Sequence, residues 1–339
     1  MIKEISNFIN LSYVLFIAFL ILIFSNLLFN KAEATPTFVD SFSISSQESN
    51  PSSLTFNNNG TKMFVLGFTG DDVNEYTLSS GFDVSTASFV DSFSVSGQEN
   101  LPRGLAFNNN GTKMFVVGFS GDDVNEYTLS TGFDVSTASF VDSFSVSGQE
   151  NLPRGLAFNN NGTKMFVVGF SGDDVNEYTL STGFDVSTAS FVDSFSVSGQ
   201  ENLPRGLAFN NNGTKMFVVG FSGDDVNEYT LSTGFDVSTA SFVDSFSVLD
   251  QEAAVTGLAF DDDGTKMFIL GQLGDDVNEY TLSSAYNLFD STAPTLSSST
   301  PADNATAVAK SSNIVLTFSE AVDAESGNIT IKKTSDDST

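Results

Sequence analysis

The sequence predicts an all-β protein built as a five-bladed β-propeller, followed by a partial β-sandwich. A unit of 51 residues at 81–131 recurs without change at 132–182 and 183–233, and diverged copies precede and follow these three. Each unit holds four short β-type segments, and the first such segment of the chain matches the one that the last unit lacks. A fixed period of this length indicates a propeller, a solenoid or an array.

In each unit the four segments read as antiparallel strands, and in the second copy they span residues 104–107, 113–119, 124–129 and 140–146. An Asn-Asn-Asn-Gly turn, a strong hairpin signal, joins the first two. The third segment should place Tyr127 and Leu129 on one face. The fourth alternates with period two and should place Phe140, Phe144 and Val146 on one side.

Closure of a ring favours a propeller over a solenoid, whose coils have shorter repeats with one strand per face. The last unit has segments at 257–260, 266–270 and 277–282 but no fourth segment. The orphan segment at 38–45 has the missing sequence type. Pairing it into the last blade closes a five-bladed ring and leaves no exposed edge between the chain ends.

The propeller segments resemble a known family of repeats. The run P-R-G-L-A-F-N-N-N-G-T-K-M-F-V-V-G, followed by V-N-E-Y-T-L, resembles the YVTN and NHL-type repeats of extracellular bacterial propellers over roughly residues 37–283. The resemblance implies that these segments are the innermost, second and third strands of a blade. It implies little about function, because such propellers serve many roles.

The repeat ends before the last part of the chain. Pro294-Thr295-Leu296 and residues 314–320 resemble the opening of bacterial Ig-like domains of the SbsA (S-layer) type, and 313–318 and 328–332 alternate as strands. Too few residues follow for the roughly 100 that a complete sandwich needs, so a partial domain is expected. The predicted division is 1–34, 35–290 and 291–339.

Residues 1–34 have the pattern of an export signal. Lys3 precedes an apolar run at 11–24, and Ala32-Glu33-Ala34 supplies a small-x-small cleavage pattern. The alternative is an uncleaved membrane anchor, because residues 8–29 could nearly span a bilayer. Both readings predict that the remainder is exported, at the cell surface or in the extracellular space.

Composition excludes several function classes. The net charge of −29, from 42 acidic and 13 basic residues, argues against nucleic-acid partners and against docking on anionic lipid. The chain has no Cys, His or Trp. Disulfides, thiolate or imidazole metal sites and histidine-dependent nucleophiles are therefore excluded, and a metal would be a hard cation held by oxygen ligands.

One face of the ring should carry paired carboxylates, because the turn between the second and third strands and the loop entering the next blade emerge together. We expect Glu99, Glu150 and Glu201 near those turns. The candidate ligand or metal residues are Asp71, Asp72, Asp122, Asp123, Asp173, Asp174, Asp224, Asp225, Asp275 and Asp276, with Arg103, Arg154 and Arg205 as counter-charges.

Three interpretations of the Asp pairs remain open. They can cap tight turns through the backbone, with the arginines paired across adjacent loops. They can hold Ca²⁺ through oxygen ligands, although they lack the spacing of an EF-hand loop. They can also contact a ligand directly. Phe119, Phe170 and Phe221 either fill the interior or form a platform for sugars.

The sequence favours a non-enzymatic binding, adhesion or display module whose partner is an extracellular glycan or protein. The residue types of the common nucleophile systems are absent, and three identical blades supply the same residues each time, which suits multivalent binding. The alternatives are a metal-dependent lactonase- or lyase-like propeller enzyme and a purely structural surface spacer.

Overall fold

The structure, a computed structural model, describes residues 36–289, 295–302, 313 and 315–319. The described residues fall into two compact units, one within Ala34–Phe289 and one within Asp290–Thr339. The predicted export signal and the predicted strand at 328–332 lie outside the described residues. No helix in the described part of the chain is long and apolar enough to cross a membrane.

The first unit is a succession of short strands with one-turn 3₁₀ helices between the third and fourth strands of four blades. The strands are β1 (Thr37–Ser43), β2 (Pro51–Phe56), β3 (Lys62–Gly67), β4 (Asp72–Leu78), β5 (Ala87–Ser94), β6 (Pro102–Phe107), β7 (Lys113–Gly118), β8 (Asp123–Leu129), β9 (Ala138–Ser145), β10 (Pro153–Phe158), β11 (Lys164–Gly169), β12 (Asp174–Leu180), β13 (Ala189–Ser196), β14 (Pro204–Phe209), β15 (Lys215–Gly220), β16 (Asp225–Leu231), β17 (Ala240–Ser247), β18 (Val255–Phe260), β19 (Lys266–Gly271) and β20 (Asp276–Thr281). The helices are Val84–Thr86, Val135–Thr137, Val186–Thr188 and Val237–Thr239.

Five four-stranded antiparallel sheets form the blades, and the N-terminal strand closes the ring as predicted. Four sheets take their strands in chain order, β2 to β5, β6 to β9, β10 to β13 and β14 to β17. The fifth has the order β18-β19-β20-β1, with register pairs running from Thr37↔Thr281 to Ser43↔Asp276. The first and last parts of the propeller are therefore held in one sheet.

The second strand of each blade is buried on both faces, which explains its continuous apolar run. In β7, Met114 and Val116 lie in the cluster shared with the first blade, whereas Phe115 and Val117 lie in the cluster shared with the third. All four side chains are fully buried. Alternate residues of one strand thus supply both interfaces of a blade.

The outermost strand departs from the predicted alternation. Phe140 pairs with Tyr127, whose side chain faces the first blade, whereas Phe144 packs on Tyr178 of the third blade. The prediction that Phe140, Phe144 and Val146 share one side is wrong for Phe140. A register shift between Glu126 and Tyr127 inserts one extra residue in β9, and such a bulge exchanges the faces of the residues beyond it.

Phenylalanine fills the space between blades. Phe115 packs on Phe158 of the next blade with ring centroids 4.6 Å apart, and Phe184 lies 5.5 Å from Phe158. The same three-ring contact recurs at the neighbouring interfaces, for example at Phe64, Phe107 and Phe133. The flat sheets therefore pack against each other through bulky aromatic rings.

An ion pair between a partly exposed lysine and a buried glutamate, which the repeat pattern does not predict, joins each blade to the next. Lys266 Nζ lies 2.7 Å from Glu279 Oε1 and donates to the carbonyl oxygen of Phe82 in the first blade. Glu279 Oε2 accepts a hydrogen bond from the backbone N–H of Val84. We call this arrangement the interblade clamp. The five pairs are Lys62–Glu75, Lys113–Glu126, Lys164–Glu177, Lys215–Glu228 and Lys266–Glu279.

At one end of the ring, the turns between the first and second strands form a chain of hydrogen bonds. Gly111 has φ +68, as the predicted Asn-Gly hairpin requires. Asn58 Nδ2 donates to Asn109 O, and the same bond recurs from blade to blade as far as Asn211 and the carbonyl of Asp262. In the last blade, Asp261 accepts from the Lys266 N–H in the same way as the asparagines do, so the Asp-Asp-Asp-Gly sequence keeps the turn.

The second unit contains one described pair of strands, β21 (Leu296–Thr300) and β22 (Val315–Phe318). They are antiparallel, with register from Leu296↔Phe318 to Thr300↔Val315. This confirms the predicted strand near 313–318, with a start two residues later.

Candidate functional site

The innermost strands of all five blades surround a cavity of about 240 Å³. Most of its lining residues are apolar, but the surface that faces the cavity is mainly polar, and Asn57, Asn58 and Asp262 border it on the side of the asparagine turns. The equivalent leucines that line it are Leu54, Leu105, Leu156, Leu207 and Leu258. Because each blade contributes the same position, the cavity lies on the axis of the ring.

A second, smaller cavity of about 10 Å³ lies toward the opposite ends of the same strands. It is lined by Ser52, Arg103, Arg154, Arg205 and Thr256, one residue from each blade. The chain has three arginines, and all three meet here. We call Arg103, Arg154 and Arg205 the arginine cluster.

A β-bulge brings each arginine to the axis. Pro102 pairs with Gly118 and Gly104 pairs with Val117, so Arg103 is the extra residue between them. A bulge redirects its side chain relative to the regular strand. Gly104 allows neighbouring innermost strands to approach closely, because a Cβ there would lie 2.6 Å from the carbonyl oxygen of Arg154.

Phenylalanine rings cover the faces of two of these guanidinium groups. The Cζ of Arg103 lies 3.7 Å from the ring centroid of Phe68 and 4.6 Å from that of Phe119. The Cζ of Arg154 lies 4.3 Å from Phe119 and 4.0 Å from Phe170. Stacking of this kind holds a guanidinium plane in place and leaves its edge free for hydrogen bonds.

The third arginine has a different neighbour, because the last blade carries Gln272 where the others carry phenylalanine. The Cζ of Arg205 lies 4.6 Å from the ring centroid of Phe221, and its Nη1 donates to Gln272 Oε1 at 3.0 Å. Phe221 is 45% exposed. The phenylalanines considered as a sugar platform thus each contact an arginine.

The arginines differ from the propeller's lysines in having no carboxylate partner. Each lysine of the five interblade clamps is ion-paired, whereas no guanidinium nitrogen has a carboxylate within 4.0 Å among the residues that the structure describes. The Nε atoms of Arg103, Arg154 and Arg205 are buried and have no hydrogen-bond acceptor in that part of the chain. The predicted pairing of arginine with aspartate does not form there, because the bulges direct the arginines to the axis.

Burial and mutual repulsion make the arginine cluster electrostatically costly. Burial, and then the charges of Arg103 and Arg205, lower the pKa of Arg154 to about 8. Burial and Arg205 lower the pKa of Arg103 to about 10. A guanidinium group stays protonated in proteins, so the three arginines keep their positive charges despite the repulsion between them.

The Asp pairs occupy tight turns. Asp122 has φ 53, in the left-handed region that Asp tolerates, and its carbonyl oxygen accepts from the Val146 N–H at 2.8 Å. Asp123 begins β8. The same arrangement holds the first Asp of every pair, at Asp71, Asp122, Asp173, Asp224 and Asp275, and one side-chain oxygen of each is buried without a partner among the described residues.

The nearby glutamates hold loops together and do not face an open site. Glu99 is fully buried, and its carboxylate accepts from the backbone N–H groups of Leu101 at 2.7 Å and Ser120 at 3.0 Å. Glu150 and Glu201 make the same bonds in the next blades. No group of three or more acidic side chains in the described ranges is gathered as a metal site.

Sequence reasoning named the arginines as candidates but did not place them together. The signal was present, because Ser52 and Thr256 replace the arginine in the first and last copies while the surrounding strand is kept. A strand that begins at residue 104, as the sequence predicts, would place Arg103 in a loop. Its true start at Pro102 puts Arg103 inside the strand, on the axis side.

The Asp turns predict a pH effect on stability. Burial, and then neighbouring carboxylates, raise the pKa of Asp71, Asp122, Asp173, Asp224 and Asp275. A carboxyl whose pKa is higher in the folded state binds its proton first there. It therefore destabilises the fold above that pKa, and the loss is recovered as the pH falls through it toward the unfolded value near 3.9.

We expect the melting temperature to rise as the pH is lowered from 7 toward about 4, through the raised pKa values of these carboxyls, and to rise less in a variant with all five of these aspartates changed to Asn. Asn also tolerates the left-handed conformation, so the turns are kept. Thermal melts across this range measure both slopes. If melting temperature changed with pH equally in the two proteins, the raised pKa values would not belong to these aspartates.

Fold and site together define a five-bladed β-propeller with a cationic cluster on its axis. Residues 290–339 match the family model described as a bacterial Ig-like domain. No curated protein sequence matches the chain. Among solved structures, the chain is similar to the β-propeller domain of Myceliophteria thermophila Cps50 (Swd1), with 8% identity, TM-score 0.42 and coverage of 73% of this chain and 100% of that one.

Two other similar structures carry names of enzymes. A putative 6-phosphogluconolactonase from Bacteroides uniformis has 11% identity and TM-score 0.45, covering 70% of this chain and 68% of its own. A luciferin-regenerating enzyme has 12% identity and TM-score 0.46, covering 73% and 95%. At these levels of identity and superposition, the similarities carry no information about activity.

Proposed function

We propose that this chain is the binding or display part of an exported bacterial surface protein and that its propeller acts without catalysis. Its partner in this proposal is an extracellular glycan or protein. The match of residues 290–339 to a bacterial Ig-like domain supports a surface location, because such domains are typical of surface proteins. The structure of the propeller's two axial cavities supports binding.

The observation that carries the proposal is the repetition of the same side chains around the axis. The cavity of about 240 Å³ is lined by equivalent Leu, Ala and Phe positions, and among the described residues Asp262 is its one acidic lining residue. The lysines and buried glutamates are engaged in interblade clamps and in loop hydrogen bonds. An enzyme site usually combines different groups in different roles, whereas repeated identical groups suit binding.

Calcium at the Asp turns is a separate part of the proposal. Each turn offers one buried carboxylate oxygen without a partner among the described residues, for example Oδ1 of Asp122, and Ca²⁺ prefers oxygen ligands. If calcium binds there, it would order the loops at the end of the ring that also carries the arginine cluster. Ligand binding would then depend on calcium.

The test is binding of the full chain to an array of extracellular glycans, with calcium and again with a chelator. Selective binding is expected, and its loss in the chelator would assign calcium a role. The variant with Asp71, Asp122, Asp173, Asp224 and Asp275 changed to Asn is the matched control. Absence of glycan binding in both buffers, together with lactone hydrolysis that Asp262→Asn abolishes, would overturn the proposal in favour of an enzyme.

A further inference from the structure

We propose that the arginine cluster binds one small oxyanion, a carboxylate, sulfate or phosphate group, on the axis of the propeller. This inference goes beyond the proposed function, because it assigns a ligand class to a particular cavity and holds whether or not the chain binds a glycan. Arg103, Arg154 and Arg205 line the same cavity. One anion per ring is therefore expected, and not one per blade.

The first support is that the three arginines have no ion-pair partner among the described residues. The chain carries 42 acidic and only 13 basic residues, yet its three arginines meet on the axis with no carboxylate in ion-pair distance within the described ranges. Three cations around a half-buried cavity repel one another. An anion between them converts that repulsion into attraction and forms charge-assisted hydrogen bonds.

The second support is the set of unused donors. The Nε–H groups of Arg103, Arg154 and Arg205 are buried without an acceptor in the described part of the chain, and an unsatisfied buried donor is costly. The guanidinium carbons of Arg103 and Arg154 lie over phenylalanine rings, which supply no oxygen acceptor for these N–H groups. The N–H groups of a guanidinium are what bind oxyanions.

The two remaining wall residues bring no negative charge to the cavity, and Glu99, Glu150 and Glu201 act on the arginines only from beyond ion-pair distance. Ser52 Oγ lies 3.2 Å from the carbonyl oxygens of both Leu66 and Pro102, which share its single hydroxyl proton, and Thr256 Oγ1 donates to that of Leu270 at 3.3 Å. Their hydroxyl protons are thus used within the sheets. The wall of the cavity therefore offers donors from the three arginines and neutral surface from the other two blades.

The size of the cavity limits the ligand. A volume of about 10 Å³ is near the smallest that holds a single water. It admits one oxygen atom of an oxyanion, so the remainder of the group would lie outside the cavity. The ligand is accordingly a free anion or a single charged group at the end of a larger molecule.

The experiment is isothermal titration of the full chain with sodium sulfate, and separately with sodium acetate, at constant ionic strength. The test variant is Arg103→Thr/Arg154→Thr/Arg205→Thr, because Thr256 already occupies this position in the last blade. The control, Lys310→Thr/Lys332→Thr/Lys333→Thr, removes the same charge from residues 290–339. Circular dichroism and melting confirm that both variants fold.

We expect one sulfate or acetate per chain, affinity weakened about tenfold or more in the arginine variant, and unchanged affinity in the lysine variant. A glycan carrying a single sulfate then distinguishes a terminal group from a free ion. If the triple arginine variant does not fold, Arg154→Lys is used in its place. It keeps the positive charge but removes the planar guanidinium with its paired N–H donors, so it should bind sulfate or acetate several times more weakly. No binding by the parent chain, or equal binding by the arginine variant, would overturn the proposal.

Discussion

Deleting the N-terminal strand is expected to remove most or all of the stability of the propeller. Without residues 37–45, β20 becomes an unpaired edge, and the fully buried Ile44 is lost from the interface between the last and first blades. Loss of one large buried side chain alone costs about 2–5 kcal/mol. Losing the strand's hydrogen bonds as well brings the cost to the order of the roughly 5–15 kcal/mol that stabilises a whole domain.

A circular permutant provides the matched control, because it keeps every residue but makes the last blade continuous. Leu288 occupies the position of Val135, and Thr37 occupies that of Ser139. Three residues separate these positions in the second blade. Joining Phe289 to Thr35 supplies three as well, so the permutant runs from 46 to 289 and then from 35 to 45.

Urea denaturation of residues 35–289, of residues 46–289 and of the permutant measures the effect. The permutant should unfold cooperatively with a free energy of unfolding close to that of the parent. The truncated protein should aggregate or unfold at much lower urea concentration. A truncated protein as stable as the parent would show that β1 does not close the ring.

The second large effect concerns the interblade clamp where the ring closes. Lys266→Met should lower the free energy of unfolding by about 1–3 kcal/mol, between the values for exposed and for fully buried pairs, because it leaves the buried carboxylate of Glu279 without its counter-charge. The side chain of Glu279 is only 4% exposed whereas that of Lys266 is 27% exposed, so water can only partly replace the lysine. The lost hydrogen bond to the Phe82 carbonyl adds to the effect.

The double variant Lys266→Met/Glu279→Gln separates buried charge from packing. The introduced amide oxygen would still accept from the Val84 N–H, and the amide carries no charge, so the double variant should be more stable than Lys266→Met alone. Denaturant melts of the two single variants and the double variant give the coupling energy. A cost below about 1 kcal/mol for Lys266→Met would place the pair among ordinary surface ion pairs.

Most of the fold could be predicted from the sequence because the same pattern of strands and turns occurs five times. The period, the turn residues and the missing fourth segment determined the strands, the blade count and the closure. The position of Phe140 could not be read in the same way, because the bulge that moves it depends on how two strands pair in space. Local alternation carries no information about such an insertion.

The candidate site was harder to predict from the sequence for the same reason. The Asp turns are local features, and their left-handed residues follow from the sequence G-D-D. The arginine cluster and the interblade clamps join residues of different blades, such as Arg103 with Arg154 and Glu75 with Val135. Their meeting depends on ring geometry, which a single repeat does not encode.

The uneven distribution of arginine among the blades has an evolutionary consequence. The interior units that carry arginine are identical, whereas the diverged end units carry Ser52 and Thr256. Unequal recombination between identical units changes their number in whole steps, and each step adds or removes one positive charge at the axis. The number of interior units and the number of arginines on the axis therefore change together. Relatives with more interior units would then bind the anion more tightly, and relatives with fewer would bind it more weakly.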